Sequence, residues 1–222
     1  MTEQSWQLER ESDSHGWKER RRLAMNLRRL IENTLLTDVE DAVVSEAADT
    51  VATLADKLGA SLGPTFFETV NNDDWQHDGG IYADRNFMLG VCNPLAPPMV
   101  VTDDGERVAG KVTLSYAYEG PPGAAHGGVV AALIDQIFGS LMVRTGTPSM
   151  TGKLTVRYHK PTPLKKELSL AAWVKEDQGK SILCNGELRC GEVLVASADC
   201  MMVKVNNASL AKLFEQIKNE SA

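Results

Sequence analysis

From residue 15 to residue 59 the apolar positions recur at helical spacing. HGWKERRRLAMNLRRLIENTLL places Leu23, Leu27, Leu30 and Ile31 on one stripe with arginines between them. TDVE follows and reads as a capping box of Thr37 and Glu40. Behind it Val43, Ala47, Val51, Leu54 and Leu58 form a second helical stripe, and Gly59 suits a C-terminal stop. The first helix is basic and the second acidic, which predicts an antiparallel pair with complementary flanks. The sharper alternative is a basic helix that binds an acidic partner or a membrane surface.

Periodicity is lost between about residues 61 and 97, a stretch rich in Gly, Pro, Asn and Asp. Phe66, Phe67, Trp75 and Tyr82 need burial, so this linker is expected to lie over a core. From Pro98 the pattern changes. MVVTDDGERVAGKVTLSYAY predicts two strands around an Asp-Asp-Gly turn, and GPPGAA a stiff loop. HGGVVAALIDQIFGSLMVRTG predicts one long helix, apolar nearly all round. Four strands follow, SMTGKLTVRYHKP, ELSLAAWVKED, KSILCNGELRC and EVLVASADCMMVKV, joined by turn-forming junctions. ASLAKLFEQIKNE, with Leu210, Leu213, Phe214 and Ile217, predicts a short amphipathic helix. A helix apolar on all sides must be enclosed, and one curved antiparallel sheet around it would do so. The plan is α+β rather than doubly wound, because the buried helix occurs once. The expected division is a helical extension and linker over 1–85, a sheet-and-helix domain over 86–205, and a C-terminal helix over 206–222.

Composition narrows the function classes. A chain of 222 residues, 43% hydrophobic and 24% charged, can build a real core. A net charge of −7 argues against wide nucleic-acid binding. The opening MTEQSWQLERESDSH lacks the apolar core of a secretory signal, and no run of about 18 apolar residues predicts a membrane span. Cys92, Cys184, Cys190 and Cys200 form no C-x-x-C pair, and His15, His77, His126 and His159 are scattered, so no metal site is expected. Reduced core cysteines and a cytoplasmic location are the simplest reading.

Chemistry concentrates in HGGVVAALIDQIFGSLMV. Asp135 is a lone acid in a segment built for burial, and an unpaired buried carboxylate is costly. It is either an acid at an exposed edge of the helix, next to Gln136, or a partly buried acid kept for chemistry, and the start of the helix favours the second. His126, Gly127 and Gly128 open the same helix, where unpaired N–H groups and the helix dipole favour a developing negative charge. His126 and Asp135 are nine residues apart, which is two and a half turns, roughly 13 Å along the axis and on opposite faces. One helix does not bring both to one scissile carbonyl. A composite site, with the helix N-terminus from one subunit and the acid from another, predicts at least a dimer.

EGPPGAAHGGVVAALIDQIFG followed by MTGKLTVRYHKPTPL resembles the hotdog-fold acyl-CoA thioesterases, closest to the PaaI-like group and thioesterase superfamily member four. The resemblance covers about residues 86–205. It implies a hotdog fold, hydrolysis of acyl-CoA at a homodimer interface or in a dimer of dimers, and no cofactor, since coenzyme A is part of the substrate. It implies Asp135 as general base or nucleophile, the Gly127 amide as oxyanion hole with Gly128 beside it, His126 at the carbonyl end, and Thr151 as the hydroxyl that positions the water or the acid. Some members carry Asn six residues before the histidine. Here that position is Gly120, which leaves His126 or the second glycine to compensate. Arg157, His159 and Lys160 form a basic cluster, either a solvated edge or a cradle for CoA phosphates. The alternatives are an acyl-CoA hydratase or dehydratase, and a non-catalytic acyl-CoA-binding protein.

Overall fold

A computed structural model describes residues 15–63 and 84–206, together with residues 212, 215 and 216. The aromatic linker residues Phe66, Phe67, Trp75 and Tyr82 lie outside the described residues. So do Leu210, Leu213, Phe214 and Ile217 of the expected C-terminal helix, of which Lys212, Glu215 and Gln216 are described as helical.

In chain order the elements are α1 (His15–Leu36), α2 (Asp41–Gly59), β1 (Val100–Asp103), β2 (Val108–Thr113), a 3-10 turn at Tyr116–Tyr118, α3 (Gly127–Thr145), β3 (Ser149–Tyr158), β4 (Glu167–Asp177), β5 (Ser181–Cys190) and β6 (Val193–Lys204). All strand pairs are antiparallel and form one six-stranded sheet in the order β1-β2-β4-β5-β6-β3. This is the expected antiparallel sheet packed on one long helix, with helices ahead of it. Among the described residues β3 pairs only with β6, so its other side is an edge. Bulges in β3, in β4 and between β5 and β6 add local bend and twist.

Val130, Leu133, Ile134, Ile137, Phe138, Leu141 and Met142 of α3 are buried. Their 3-and-4 spacing makes one stripe, and it packs on the alternating inward residues of the sheet, such as Leu168, Leu170, Leu188 and Ala198. Each fully buried aliphatic or aromatic side chain contributes about 1.5–3 kcal/mol. Gly146, in the left-handed conformation, ends the helix. By length and composition α3 could cross a membrane, but its apolar stripe is the core of this domain. The enclosure is one-sided within a single chain. Val129, Ala132 and Gln136 are half-buried and Val143 is exposed.

The N-terminal helices depart from expectation. Ala24, rather than the leucines, is the buried centre of α1. Its basic residues face the protein as well as solvent. Arg28 donates to the carbonyls of Gly90, Val91, Asn93 and Ala96 at 2.8–3.0 Å, and Arg21 pairs with buried Asp84 at 3.0 Å. Burial pulls the Arg28 guanidinium below its usual value, and the carbonyl cage keeps it paired. Glu32 of α1 meets Lys165 at 2.6 Å. α2 has no buried residue, so the antiparallel pair is not formed. Part of α1's positive charge is instead satisfied by carbonyls and Asp84. The capping box fails as well. α2 starts at Asp41 with Glu40 as N-cap, without a side-chain cap bond, so Thr37 lies outside the helix.

Candidate active site

The N-terminal end of α3 is built by local chain geometry. His126 is the N-cap, and its Nδ1 accepts from the Gly128 N–H at 3.0 Å. In the neutral ring this puts the proton on Nε2. The residue is held by its own backbone, since His126 N–H donates to the Tyr118 carbonyl at 2.8 Å and Ala125 N–H to the Thr162 carbonyl at 2.9 Å. Gly120 packs directly on it. A Cβ at Gly120 would stand 2.7 Å from His126 Cα, so this arrangement has no room for an asparagine there. The two glycines at the helix start are not equivalent. The Gly128 amide is taken by His126, whereas the Gly127 amide has no acceptor among the described residues. It is an open donor at the positive end of a 19-residue helix. Tyr158 fixes it from below by donating its hydroxyl to the Gly127 carbonyl at 2.8 Å.

The acid lies farther along α3. Thr151 Oγ1 donates to Asp135 Oδ1 at 2.8 Å, and Oδ2 has no partner among the described residues. Asp135 is half-buried rather than sealed in the core. One oxygen is therefore held and the other is available. Thr151 reaches it because β3 is bulged. Leu154 pairs with Cys200 and Lys153 with Met201, but Thr151 pairs with Met202. Gly152 is the extra residue, and Thr151 shares the inward face with Leu154. Cys184 and Cys200 lie under this pair. Burial pushes the Cys184 thiol up to about 11. Burial first, then Cys184 and Asp135, push that of Cys200 up to about 12. Both are neutral thiols at physiological pH and offer no thiolate nucleophile.

The basic cluster divides between the far face of the sheet and the loop after β3. Tyr158 and Val156 point toward α3, so Arg157 between them points to the opposite face of the sheet. His159 Nε2 is 2.8 Å from Ser197 Oγ, and Ser197 is the register partner of Arg157. Lys160 is exposed in the loop beyond the strand. A cleft of about 220 Å³ lies between α1 and the Pro94–Pro98 segment, and another of about 270 Å³ beside Lys153 and Lys175. Neither is lined by Asp135 or Gly127.

A family profile described as the thioesterase superfamily matches residues 122–197, a span that holds both the Gly127 amide and the Asp135–Thr151 pair. Over this span the chain is similar to the thioesterase superfamily. Acyl-coenzyme A thioesterase THEM4 of Xenopus laevis is 32% identical over 89 residues, which are 39% of this chain and 40% of that protein. The match thus spans less than half the length of that relative. A solved thioesterase superfamily protein is similar over 86% of this chain and 92% of that one, at 29% identity and a TM-score of 0.73. A protein of Streptococcus mutans solved with bound acetyl CoA covers 49% of this chain and 89% of that one, at 21% identity and a TM-score of 0.46. The antiparallel sheet and its long helix have the hotdog architecture, shared with the solved thioesterase superfamily protein at a TM-score of 0.73.

Among the residues singled out from sequence, the structure brings Asp135 and Thr151 together, and His126, Gly127 and Gly128 together. It does not join the two groups; Arg157 is on the opposite face of the sheet, His159 meets Ser197, and Lys160 is exposed after β3. Tyr158, Gly120 and Gly152 carry contacts that sequence reasoning did not assign. All three stand inside the quoted motifs, but close approach and a bulge are tertiary facts.

Proposed function

We propose that the protein hydrolyses acyl-CoA thioesters to a free acid and CoA, in a site shared by two copies of the chain. The observation that carries this reading is the Asp135 carboxylate, held on Oδ1 by Thr151 and open on Oδ2. The thioesterase-superfamily match and the THEM4 relative support the substrate class. The thioester oxygen accepts from the Gly127 N–H. Asp135 Oδ2 takes a proton from water as the water oxygen attacks the carbonyl carbon. The tetrahedral intermediate then expels the CoA sulfur, which takes the proton back from Asp135 and leaves as the thiol. The same oxygen could instead attack the carbonyl and form an anhydride that water opens. Both routes consume one water and give the same products.

The second copy follows from distance. Gly127 and Asp135 are eight residues apart on one helix, roughly 12 Å along its axis, while reacting atoms must come within about 3–3.5 Å. The two halves of the site mark the two ends of β3, with Thr151 near its start and Tyr158 at its end. Pairing this edge antiparallel with its own copy about a two-fold axis sets the start of one β3 against the end of the other. The Gly127 amide of one protomer then faces the Asp135 of its partner.

The direct test is release of CoA thiol from straight-chain acyl-CoAs, acetyl to stearoyl, and from phenylacetyl- and benzoyl-CoA, by wild type and Asp135→Asn. Turnover of at least one thioester that collapses in the variant is expected. Unchanged turnover in the variant would contradict the assigned acid. Binding of acyl-CoA without turnover would point to a non-catalytic binding protein.

A further inference from the structure

We infer that Gly152 is a positioning residue, whose exclusion from the β3–β6 ladder turns Thr151 onto the Asp135 side of the sheet. The inference rests on the reading of Asp135 and Thr151 as the working pair, and it concerns what keeps them in contact.

Side chains alternate along a strand, so residues 154, 156 and 158 of β3 share the inward face. Leu154 and Val156 pack on the core, and Tyr158 reaches Gly127. Continued without a break, that alternation would put residue 152 inward and Thr151 outward. The observed register differs. Thr151 pairs with Met202, a buried residue, and Lys153 pairs with the next residue, Met201. Two positions on β3 are thereby matched to adjacent residues of β6, with Gly152 left between them. This sends Thr151 inward, where Oγ1 lies 2.8 Å from Asp135 Oδ1 and 3.7 Å from Met202 Sδ.

The bulge leaves little space for a side chain. A Cβ on residue 152 would stand 2.6 Å from Val203 Cγ2, 3.2 Å from Met201 Cε and 3.4 Å from the Met201 carbonyl oxygen. The requirement at this position is for space. A larger residue relieves the clash by entering the ladder. That slides the start of β3 by one register, pairs residue 152 with Met202 and Thr151 with Val203, and turns the threonine out to solvent. Valine at 152 favours this slip doubly, since it fits a strand and would bury its side chain beside Met202.

Deletion of Gly152 has the opposite consequence. Thr151–Met202 and Lys153–Met201 become consecutive pairs in a regular ladder, and Thr151 stays inward. The larger change to the sequence is thus expected to be the smaller change to the site.

The experiment compares wild type, Gly152→Val, the Gly152 deletion, Thr151→Ala and the Gly152→Val/Thr151→Ala double variant. One readout is the nuclear Overhauser contact between the Thr151 and Met202 methyl groups. The other is kcat and KM for the best acyl-CoA. Gly152→Val is expected to lose the methyl contact and to lower kcat as much as Thr151→Ala does, with no further loss in the double variant. The deletion is expected to keep the contact and most of kcat. A Gly152→Val protein that keeps the contact, or a deletion that loses it, would overturn the inference. The methyl contact reports the geometry whether or not thioesters turn over. Failure of the catalytic reading would show separately, as absent turnover in wild type with the contact pattern intact.

Discussion

The two ends of the proposed site are made from different material. At the start of α3 the working group is a backbone amide, and everything around it is local. His126 occupies the neighbouring Gly128 amide, Gly120 presses on His126, and the Thr162 carbonyl holds Ala125. In the middle of α3 the working group is a side chain, and its partner comes from a strand through a bulge. The first end is fixed by the chain's own path. The second depends on register between β3 and β6. Oxyanion donors need no freedom once placed, whereas an acid that takes a proton must keep one oxygen open.

Loss of the acid should have the largest effect. Asp135→Asn preserves shape and removes the base, so kcat is expected to fall by about 10²–10⁴ while KM changes little. A steady-state comparison checks this. The amide can be removed almost as cleanly. Gly127 is the first helical residue, where proline is tolerated, and His126 already has the extended backbone that a following proline requires. A Cβ there meets Tyr158 at 3.5 Å, an ordinary contact. Gly127→Pro should therefore cost about 10²–10³ in kcat with an unchanged circular dichroism melt. A Gly127→Pro enzyme with full activity would remove the amide from the mechanism.

Smaller effects separate the ends from their surroundings. Cys184 and Cys200, beneath the acid, stay protonated up to about 11 and about 12 in the folded chain, against 9.0 for an ordinary thiol. Folding holds these protons more tightly than the unfolded chain does. Their contribution to stability is complete below about pH 9 and is lost as pH rises toward the folded values. Urea unfolding should show stability declining above about pH 9, and less steeply in a Cys184→Ala/Cys200→Ala variant. The smallest effect is expected from Arg157→Ala, His159→Ala or Lys160→Ala. These residues are exposed and Arg157 is on the sheet face opposite α3, so KM for acyl-CoA should change less than about fivefold, the equivalent of about 1 kcal/mol. A larger, salt-dependent rise in KM would place a CoA phosphate on this edge instead.

Much of the domain was legible in its periodicities. The alternating spacing that begins at Pro98 located the strands, and the apolar run after His126 located the central helix. The N-terminal third was not legible in the same way. α2 and α3 are each 19 residues long and each carries an apolar stripe, yet seven residues of α3 are buried and none of α2. Amphipathicity shows that a face could be covered, and the covering surface is a tertiary matter. In α1 the leucines carry the helical stripe, while Ala24, Arg21 and Arg28 make the contact. Backbone carbonyls, which satisfy Arg28, leave no mark in a sequence. In the site, residue identities were legible from motif and resemblance. The inequality of the Gly127 and Gly128 amides was not, because it depends on which one His126 reaches. Nor was the inward turn of Thr151, which depends on one residue left out of a ladder.

Subunit complementation tests the shared site most directly. Asp135→Asn and Gly127→Pro proteins, each inactive alone, are mixed under conditions that exchange subunits. If the amide of one protomer works with the acid of the other, a mixed dimer holds one site with both groups intact. Mixing should then restore about a quarter of the wild-type rate, because about half the dimers are mixed and each has one working site of two. No recovery, with exchange verified by mass spectrometry, would mean that both groups act within one chain.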